Sequence, residues 1–186
     1  MDGVRLIIIT VPPMAVQAEL SLLRANCSGV SSSHAAEAYP PHVTLRTGVI
    51  VPQRGMSAFL SEFGLLLEDI EPFDIRTGDI VFRTIVRDSG DVPIVALEIE
   101  PSAALLSLNA RLLEYEPYRA SDRTRFWPHL TLAFQDLSPD GLRNLERYIA
   151  AREDLRSLRL AWTCDNVSLY RQRGRRWQPH HVYKLA

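Results

Sequence analysis

Two histidines in this chain of 186 residues lie in almost the same local sequence. The segments YPPHVTL and FWPHLTL both read aromatic residue, any residue, Pro, His, aliphatic residue, Thr, Leu, and His42 precedes His129 by 87 positions. Side chains alternate between the two faces of a strand, so each histidine shares a face with the threonine two residues later, Thr44 or Thr131. Each segment therefore predicts a strand with an imidazole and a hydroxyl on its polar face. The apolar face of the second strand is predicted to carry Leu130, Leu132 and Phe134.

Two imidazoles facing one cleft could catalyse displacement at phosphorus. The ordinary pKa of an imidazole is near 6.5, so at neutral pH one can act as a base while the other, protonated, acts as an acid. The base would take a proton from the attacking water, and the acid would protonate the leaving alkoxide. Thr44 and Thr131 could donate hydrogen bonds to the non-bridging phosphate oxygens, where negative charge builds up.

The likeness extends beyond these segments and predicts the elements that position them. Pro52 and Pro139 each follow a motif histidine by ten residues and precede an amphipathic helical pattern, with Ser138 and Pro139 expected as N-cap and N1. Strand-like stretches and glycine-centred hairpins recur at offsets of 84 to 89 residues. We interpret residues 1–186 as one domain of two duplicated lobes, with repeat units of about 1–90 and 91–186.

One segment, ANCSGVSSSHAAEA at 25–38, breaks the repeat. Its small, serine-rich composition predicts a flexible surface loop that could serve as a lid, and His34 within it is interpreted as a solvated side chain.

Differences between the two copies should report on the substrate, because an exactly symmetric site would not suit an asymmetric substrate. Arg46 is expected on the same face as His42, and the second copy has Ala133 at this position. Arg46 is a candidate contact for a phosphate or leaving group. A solvated arginine at a strand end fits equally well. Two residues before the histidine, the first copy has Pro40 and the second has Trp127. Trp127 is a candidate stacking partner for a base or ribose, and ordinary partial burial of its side chain is the alternative.

The closing hairpins differ more: RDSGD is mixed in charge, whereas YRQRGRRWQPHH is strongly basic. Arginines interleaved with aromatic residues suit a nucleotide or RNA end, and Tyr170 and Arg173 are candidate contacts, although a solvated turn also favours charge. His180 and His181 lack a threonine two residues later and are interpreted as structural or supporting residues. The basic segment YRASDRTRF is predicted to be a loop leading to the cleft. The remaining basic residues of these two segments are Arg119, Arg123, Arg125, Arg171, Arg175 and Arg176.

Composition limits the classes of protein that fit. A formal net charge of -1 gives no general attraction to nucleic acid or an anionic membrane, so anion binding must be local. Cys27 and Cys164 have no metal-ligand spacing, which favours a reduced, cytoplasmic setting. The run VRLIIITV is too short for a membrane span and predicts a buried strand rather than a signal peptide. Lys184 is the single lysine among 21 basic residues; arginine suits phosphate binding, but an arginine-rich genome is the simpler explanation.

The paired Pro-His-aliphatic-Thr-Leu segments resemble those of the 2H phosphoesterase superfamily, which includes 2'-5' RNA ligase-like proteins and phosphodiesterases acting on 2',3'-cyclic nucleotides and ADP-ribose 1'',2''-cyclic phosphate. The resemblance covers essentially the whole chain. It implies an α+β fold of two pseudo-twofold lobes, with two antiparallel-rich sheets and outer helices around a central cleft. It also implies catalytic roles for His42 and His129, phosphate binding by Thr44 and Thr131, and no metal or other cofactor.

We therefore expect a metal-independent phosphodiesterase that opens a cyclic phosphate on the ribose of a nucleotide, an RNA end or ADP-ribose. In the family, opening of a 2',3'-cyclic phosphate usually gives a 2'-phosphate. The sequence does not assign which histidine is acid and which is base. The expected partner is a nucleotide or RNA terminus with a cyclic phosphate, with no membrane and no metal, and we expect a monomer.

Three alternatives remain open from the sequence. One is a 2'-5' RNA ligase or 2'-5' phosphodiesterase, and another is a non-catalytic protein that binds nucleotides or RNA ends. The third is a metal enzyme using both motif histidines with His180 and His181, although the chain lacks HExxH-type spacing.

Overall fold

The structure, a computed structural model, describes residues 3–86, 90–115, 126–174 and 176–186. The strands are β1 Gly3–Thr10, β2 Val43–Pro52, β3 Phe73–Ile85, β4 Val92–Ile99, β5 His129–Phe134, β6 Ala161–Cys164, β7 Asn166–Arg173 and β8 Arg176–Lys184. The α-helices are α1 Met14–Ser31, α2 Met56–Leu67, α3 Ala103–Glu114, α4 Pro139–Ala150 and α5 Glu153–Arg156. Short 3-10 turns cover Ala35–Ala38 and Gln53–Gly55.

The described strands form two four-stranded sheets, ordered β2-β1-β7-β8 and β5-β4-β3-β6, in which all paired neighbours are antiparallel. The predicted α+β architecture is confirmed. The two motif strands, β2 and β5, each lie at the edge of a sheet, and they contact each other. Each sheet combines strands from both sequence repeats, since β7 and β8 complete the sheet that β1 and β2 begin.

The helices form where apolar residues recur at helical spacing. In α1 the buried positions include Leu20, Leu23 and Cys27, and α3 buries Leu105 and Leu108 in the same pattern. These faces, together with the inner faces of both sheets, belong to one continuous core.

The predicted start of α4 is confirmed. Ser138 is its N-cap, and the Ser138 hydroxyl accepts a hydrogen bond of 3.0 Å from the backbone N–H of Gly141. By contrast, α2 begins at Met56, because the residues directly after Pro52 form a 3-10 turn.

The prediction of a flexible loop over 25–38 is wrong, because α1 continues to Ser31. Serine and glycine are weak helix formers in isolation, but packing decides here. Cys27, Ser28 and Ser31 are buried, and their small side chains let α1 approach α4 closely: a Cβ atom on Gly141 would lie 2.5 Å from the carbonyl oxygen of Ser31. The end of α1 is therefore a packed contact between the two copies.

The residues that follow α1 are also fixed to the second copy. The carboxylate of Asp136 accepts hydrogen bonds from the Ser33 hydroxyl at 2.6 Å and from the backbone N–H groups of His34 and Ala35 at 2.8 and 3.1 Å. The His34 side chain itself is exposed, as predicted.

Two predicted loops cannot be placed. The segment YRASDRTRF, apart from Phe126, and most of the hairpin RDSGD lie outside the described residues. Within the described ranges, no helix has both the length and the apolar character needed to span a membrane.

Candidate active site

One cavity of about 630 Å³ brings the two motifs together, and its lining includes His42, Thr44, His129 and Thr131. All four side chains are half-buried, as expected for groups at the wall of a cleft. The residues between and after them are at most 2% exposed and belong to the core: Val43, Leu45, Leu130 and Leu132. The predicted alternation of polar and apolar faces holds as far as these residues.

A β-bulge follows the His-x-Thr sequence in both copies. Along β1 the partners of Ile9 and Ile8 are Thr44 and Arg46, so Leu45 is the extra residue. Along β4 the partners of Ala96 and Val95 are Thr131 and Ala133, so Leu132, 87 positions later, is the extra residue. Bulges bend a strand and redirect its side chains, and they are common beside active sites.

The bulge overturns one sequence prediction. Phe134 was expected on the core face with Leu130 and Leu132, but it lines the cavity, whereas Ala133 is fully buried. The inserted residue shifts the alternation by one position, so residues after Leu132 exchange faces.

The backbone fixes the same tautomer in both imidazoles. His42 Nδ1 lies 2.8 Å from the carbonyl oxygen of Pro40, and His129 Nδ1 lies 2.8 Å from the carbonyl oxygen of Trp127. A carbonyl oxygen can only accept, so each Nδ1 carries the proton and each neutral imidazole keeps its lone pair on Nε2. The prolines at 41 and 128 restrict the preceding residue to extended backbone, which helps to aim its carbonyl at the ring.

Burial shifts both imidazoles toward the neutral form. It lowers the pKa of His42 to about 4, and the positive charges of Arg24 and of a protonated His129 act in the same direction, against the hydrogen bond to Pro40. Burial also lowers the pKa of His129, and the nearby charge of Arg83 adds to this effect, while the hydrogen bond to Trp127 and the charge of Glu98 oppose it. Burial is thus the dominant cause at both sites. The charges near His42 all lower its pKa, whereas those near His129 act in opposite directions, with the effect of Arg83 larger than that of Glu98.

Trp127 contacts His129 directly. The indole and imidazole rings are stacked, with centroids 4.1 Å apart and an interplanar angle of 21°. The indole Nε1 donates a 3.0 Å hydrogen bond to Glu98 Oε1, and the Arg83 guanidinium, 2.5 Å from the same oxygen, lies 4.4 Å from the indole centroid. Because Glu98 is the cross-strand partner of His129, the four side chains form one cluster.

Two helices brace the motif strands at equivalent positions. In α1, Arg24 Nε donates a 2.8 Å hydrogen bond to the carbonyl oxygen of Thr131; in α3, 85 positions later, Asn109 Nδ2 donates one of 2.8 Å to the carbonyl oxygen of Leu45. Each helix thus holds the motif strand of the other copy. Arg24 Nη1 also donates to the carbonyl oxygens of Ala36 and Tyr39, at 3.2 and 2.9 Å.

Sequence reasoning missed Arg24 and Asn109, although a signal was present. Both are polar residues on the apolar face of an amphipathic helix, at matching positions of the repeat. Only the identity differs: one brace is a cation and the other a neutral amide. Burial lowers the pKa of Arg24 only to about 10, so its guanidinium stays charged at neutral pH.

The remaining predicted contacts divide between the cavity and the outer surface. Arg46 lines the cavity, is 7% exposed, and has a buried Nε without a hydrogen-bond partner in the described structure. Tyr170 and Trp177 also line the cavity. Arg173 is exposed and lies outside the described lining of the cavity.

The histidines of β8 are away from the cavity. His180 is partly buried, His181 is exposed and packs against Tyr183 with ring centroids 4.4 Å apart, and neither lines the cavity. The described residues contain no cluster of three His, Cys, Asp or Glu side chains suited to hold a metal ion.

Comparison with known proteins identifies the family. A family model described as the 2'-5' RNA ligase superfamily matches residues 12–176. The chain belongs to this superfamily. Its expected resemblance to the 2H phosphoesterases is thereby confirmed. A search of curated proteins found no match.

Solved structures of this superfamily share the fold at low sequence identity. E. coli LigT complexed with 3'-AMP has a TM-score of 0.68 at 19% identity, covering 100% of this chain and 99% of that one. TT0787 of Thermus thermophilus has a TM-score of 0.64 at 16% identity, with 97% of each chain covered. Kluyveromyces marxianus Usb1 has a TM-score of 0.59 at 13% identity, with 98% of each covered.

Proposed function

We propose that this superfamily member is a metal-independent phosphodiesterase that opens a cyclic phosphate on the ribose of a nucleotide or RNA end. Membership of the superfamily supports phosphoesterase-type chemistry in general. The observation that carries the finer proposal is the matched pair of imidazoles: both keep the lone pair of the neutral ring on Nε2, both stand beside a threonine, and both line one cavity.

In this mechanism one Nε2 removes a proton from water as the water oxygen attacks phosphorus, and the other Nε2–H protonates the leaving ribose oxygen. Thr44 and Thr131 donate hydrogen bonds to the non-bridging oxygens, whose charge grows in the transition state. No step requires a metal ion.

The rest of the cavity supports recognition of a nucleotide. Arg46 is a buried cation with an unpaired Nε at the cavity wall, and we infer that it contacts a phosphate oxygen. The indole of Trp127 is stacked on His129. We therefore propose that Tyr170 and Trp177, rather than Trp127, stack on the base or ribose. Arg173, at the surface, would contact the continuing chain of an RNA end rather than a mononucleotide.

The ligands of one solved relative are of this kind. LigT has been solved with 3'-AMP, with ATP, with NADP+ and with phosphate. ADP-ribose 1'',2''-cyclic phosphate therefore remains a substrate to test beside the 2',3'-cyclic nucleotides.

The test is hydrolysis of 2',3'-cyclic nucleotides with EDTA present. We expect turnover by the wild type, formation of the 2'-phosphate as read by phosphorus NMR, and a loss of about 10²–10⁴-fold in kcat for His42→Ala and for His129→Ala. His34→Ala is the matched control, because His34 is exposed and outside the cavity. Unaltered turnover in either motif variant would contradict the proposal.

The competing activities are separated by their substrates. Oligonucleotides with 2'-5' and with 3'-5' linkages, offered as substrates for cleavage and for joining, would reveal a ligase or a 2'-5' phosphodiesterase. Binding of nucleotides without turnover across this panel would instead indicate a non-catalytic binding protein.

A further inference from the structure

We propose that Arg24 binds the reacting phosphate: its Nη2 group faces the cavity and supplies a fixed positive charge for the non-bridging oxygens, beside the two threonines. This inference rests on the proposed function and deepens it, because it adds a binding residue that lies outside both motifs. Arg24 belongs to α1, and the His-x-Thr pattern does not point to it.

Three backbone carbonyls fix the guanidinium of Arg24. Its Nε donates a 2.8 Å hydrogen bond to the carbonyl oxygen of Thr131, and its Nη1 donates to those of Ala36 and Tyr39 at 3.2 and 2.9 Å. These acceptors lie on β5 and in the segment before the first motif, so Arg24 is bonded to both sides of the site. A guanidinium held through Nε and Nη1 is rigid, and the N–H groups of Nη2 remain for a ligand.

The Nη2 atom of Arg24 is open to the cavity. Within the described residues it has no hydrogen-bond partner. The described side-chain polar atoms that are fully buried without a partner belong to Ser28, Arg46, Trp162 and His180, so Nη2 keeps some accessible surface. Because Arg24 is 3% exposed and lines the cavity, this small surface is at the cavity wall.

The positive charge of Arg24 has no counter-ion among the described residues. The described lining of the cavity contains a second cation, Arg46, and no aspartate or glutamate. The charge of Glu37 favours the guanidinium, but Glu37 is exposed and pairs with His34. A buried charge is costly unless it is paired. A bound phosphate would supply the missing negative charge.

The second copy shows that a strand can be braced without a charge. Asn109 lies 85 positions after Arg24, on the face of α3 that buries Leu105 and Leu108, and its neutral amide donates to the carbonyl oxygen of Leu45. A neutral side chain in α1 could hold a strand in the same way without the cost of burying a charge. The cation therefore indicates a further role, at a cavity that the proposed function fills with an anion.

The position of Arg24 also suits the charge that develops in the reaction. It bonds the backbone of Thr131, whose hydroxyl is the proposed donor to the phosphate, so the cation lies beside the phosphate site. A cation that is already fixed stabilises the growing charge on the non-bridging oxygens without reorganisation. Arg24 takes up and releases no proton, so the bonds made and broken are those of the proposed mechanism.

The first experiment measures binding and needs no turnover. Adenosine 2'-monophosphate is titrated by calorimetry into the wild type, Arg24→Gln and Arg24→Lys. We expect Arg24→Gln to weaken binding by about 10-fold or more, because a charge-assisted hydrogen bond is lost, and Arg24→Lys, which keeps the charge, to weaken it less. Arg111→Gln is the control, since Arg111 pairs with Asp69 outside the cavity lining.

Adenosine 2',5'-bisphosphate shows which phosphate Arg24 contacts. Contact with the reacting phosphate predicts the same loss of affinity for the monophosphate and the bisphosphate in Arg24→Gln. A loss confined to the bisphosphate would place Arg24 at the 5' phosphate and overturn the proposal. Unchanged affinity of Arg24→Gln for both ligands would also overturn it, because a purely structural brace would not depend on the anion.

A measurement on the wild type keeps the proposal testable if Arg24→Gln does not fold. With arginine labelled by nitrogen-15, and with Arg24→Lys used for assignment, the guanidinium NMR signals of Arg24 should shift when inorganic phosphate is added. Those of Arg111 should not shift. Unchanged signals of Arg24 at saturating phosphate would contradict the proposal.

Turnover of 2',3'-cyclic AMP separates this inference from the proposed function. Arg24→Gln should lower kcat/KM by about 10²-fold. If the wild type binds the monophosphate through Arg24 but opens no cyclic phosphate, the proposed function fails and Arg24 stands as an anion-binding residue. If Arg24→Gln keeps both wild-type turnover and wild-type binding, the role of Arg24 is refuted and the proposed function is untouched.

Discussion

The strands β2 and β5 carry the same motif in different surroundings. Each lies at a sheet edge, carries a bulge after His-x-Thr, and is bonded by a helix from the other copy. Their neighbours differ: a buried cation, Arg24, lies near His42, and a carboxylate-bound indole is stacked on His129. The likeness places two identical side chains at one cavity, and the difference gives them different surroundings.

The largest expected effect tests the equivalence of the threonines. Thr44→Val and Thr131→Val should each lower kcat/KM by about 10²–10³-fold, because each removes one hydrogen-bond donor to the phosphate. Thr163→Val is the control, since Thr163 is an exposed strand residue outside the cavity. Steady-state kinetics would measure the losses, and a tenfold inequality between the two would show that the copies do not share phosphate binding.

The pH dependence of stability tests the difference between the histidines. The pKa of His42 falls to about 4 on folding, so between about pH 6.5 and pH 4 the unfolded chain binds the proton first. Stability contributed by the neutral imidazole is therefore present above pH 6.5 and is lost as the pH falls toward 4, by about 2 kcal/mol after allowing for partial exposure.

Denaturant unfolding between pH 4 and pH 7 would measure this loss. His42→Gln should flatten the profile more than His129→Gln, because the nearby charges all lower the pKa of His42, whereas at His129 Glu98 opposes the lowering by Arg83. An equal flattening by both substitutions would mean that the surroundings do not distinguish the two imidazoles.

The smallest expected effect compares two arginines. Arg46→Met should raise KM for a 2',3'-cyclic mononucleotide by about 10-fold, since a charge-assisted hydrogen bond contributes about 1.5–3 kcal/mol. Arg173→Met should change it by less than about 3-fold, because Arg173 is exposed and outside the cavity lining. With an oligonucleotide substrate, Arg173→Met should raise KM more, and this effect should weaken in high salt. A larger rise in KM for Arg173→Met than for Arg46→Met on the mononucleotide would contradict our placement of the phosphate.

The duplicated pattern made much of the fold predictable. Alternation around His42 and His129 gave the cavity-facing pairs, and the Ser138–Pro139 sequence gave the start of α4. These features follow from local periodicity and capping, which depend on residues close together in the chain.

Features set by distant contacts were not predictable. The extension of α1 over serine-rich sequence depends on Gly141, more than a hundred residues away, and the exposure of Phe134 to the cavity depends on a bulge against β4. Arg24 gave a local signal, a charge on an apolar helix face, but its bond to Thr131 could only be seen in three dimensions.

The sharing of strands between the sheets has a consequence for the order of folding. On the ribosome, β3 to β6 emerge as a nearly continuous stretch and can assemble the sheet that holds His129. The sheet that holds His42 must wait for β7 and β8, because β7 pairs with β1 across more than 150 residues of chain. Such a distant pairing forms late and slowly. The sheet beside His42, and with it the complete catalytic pair, would therefore form only when the last hairpin has been synthesised.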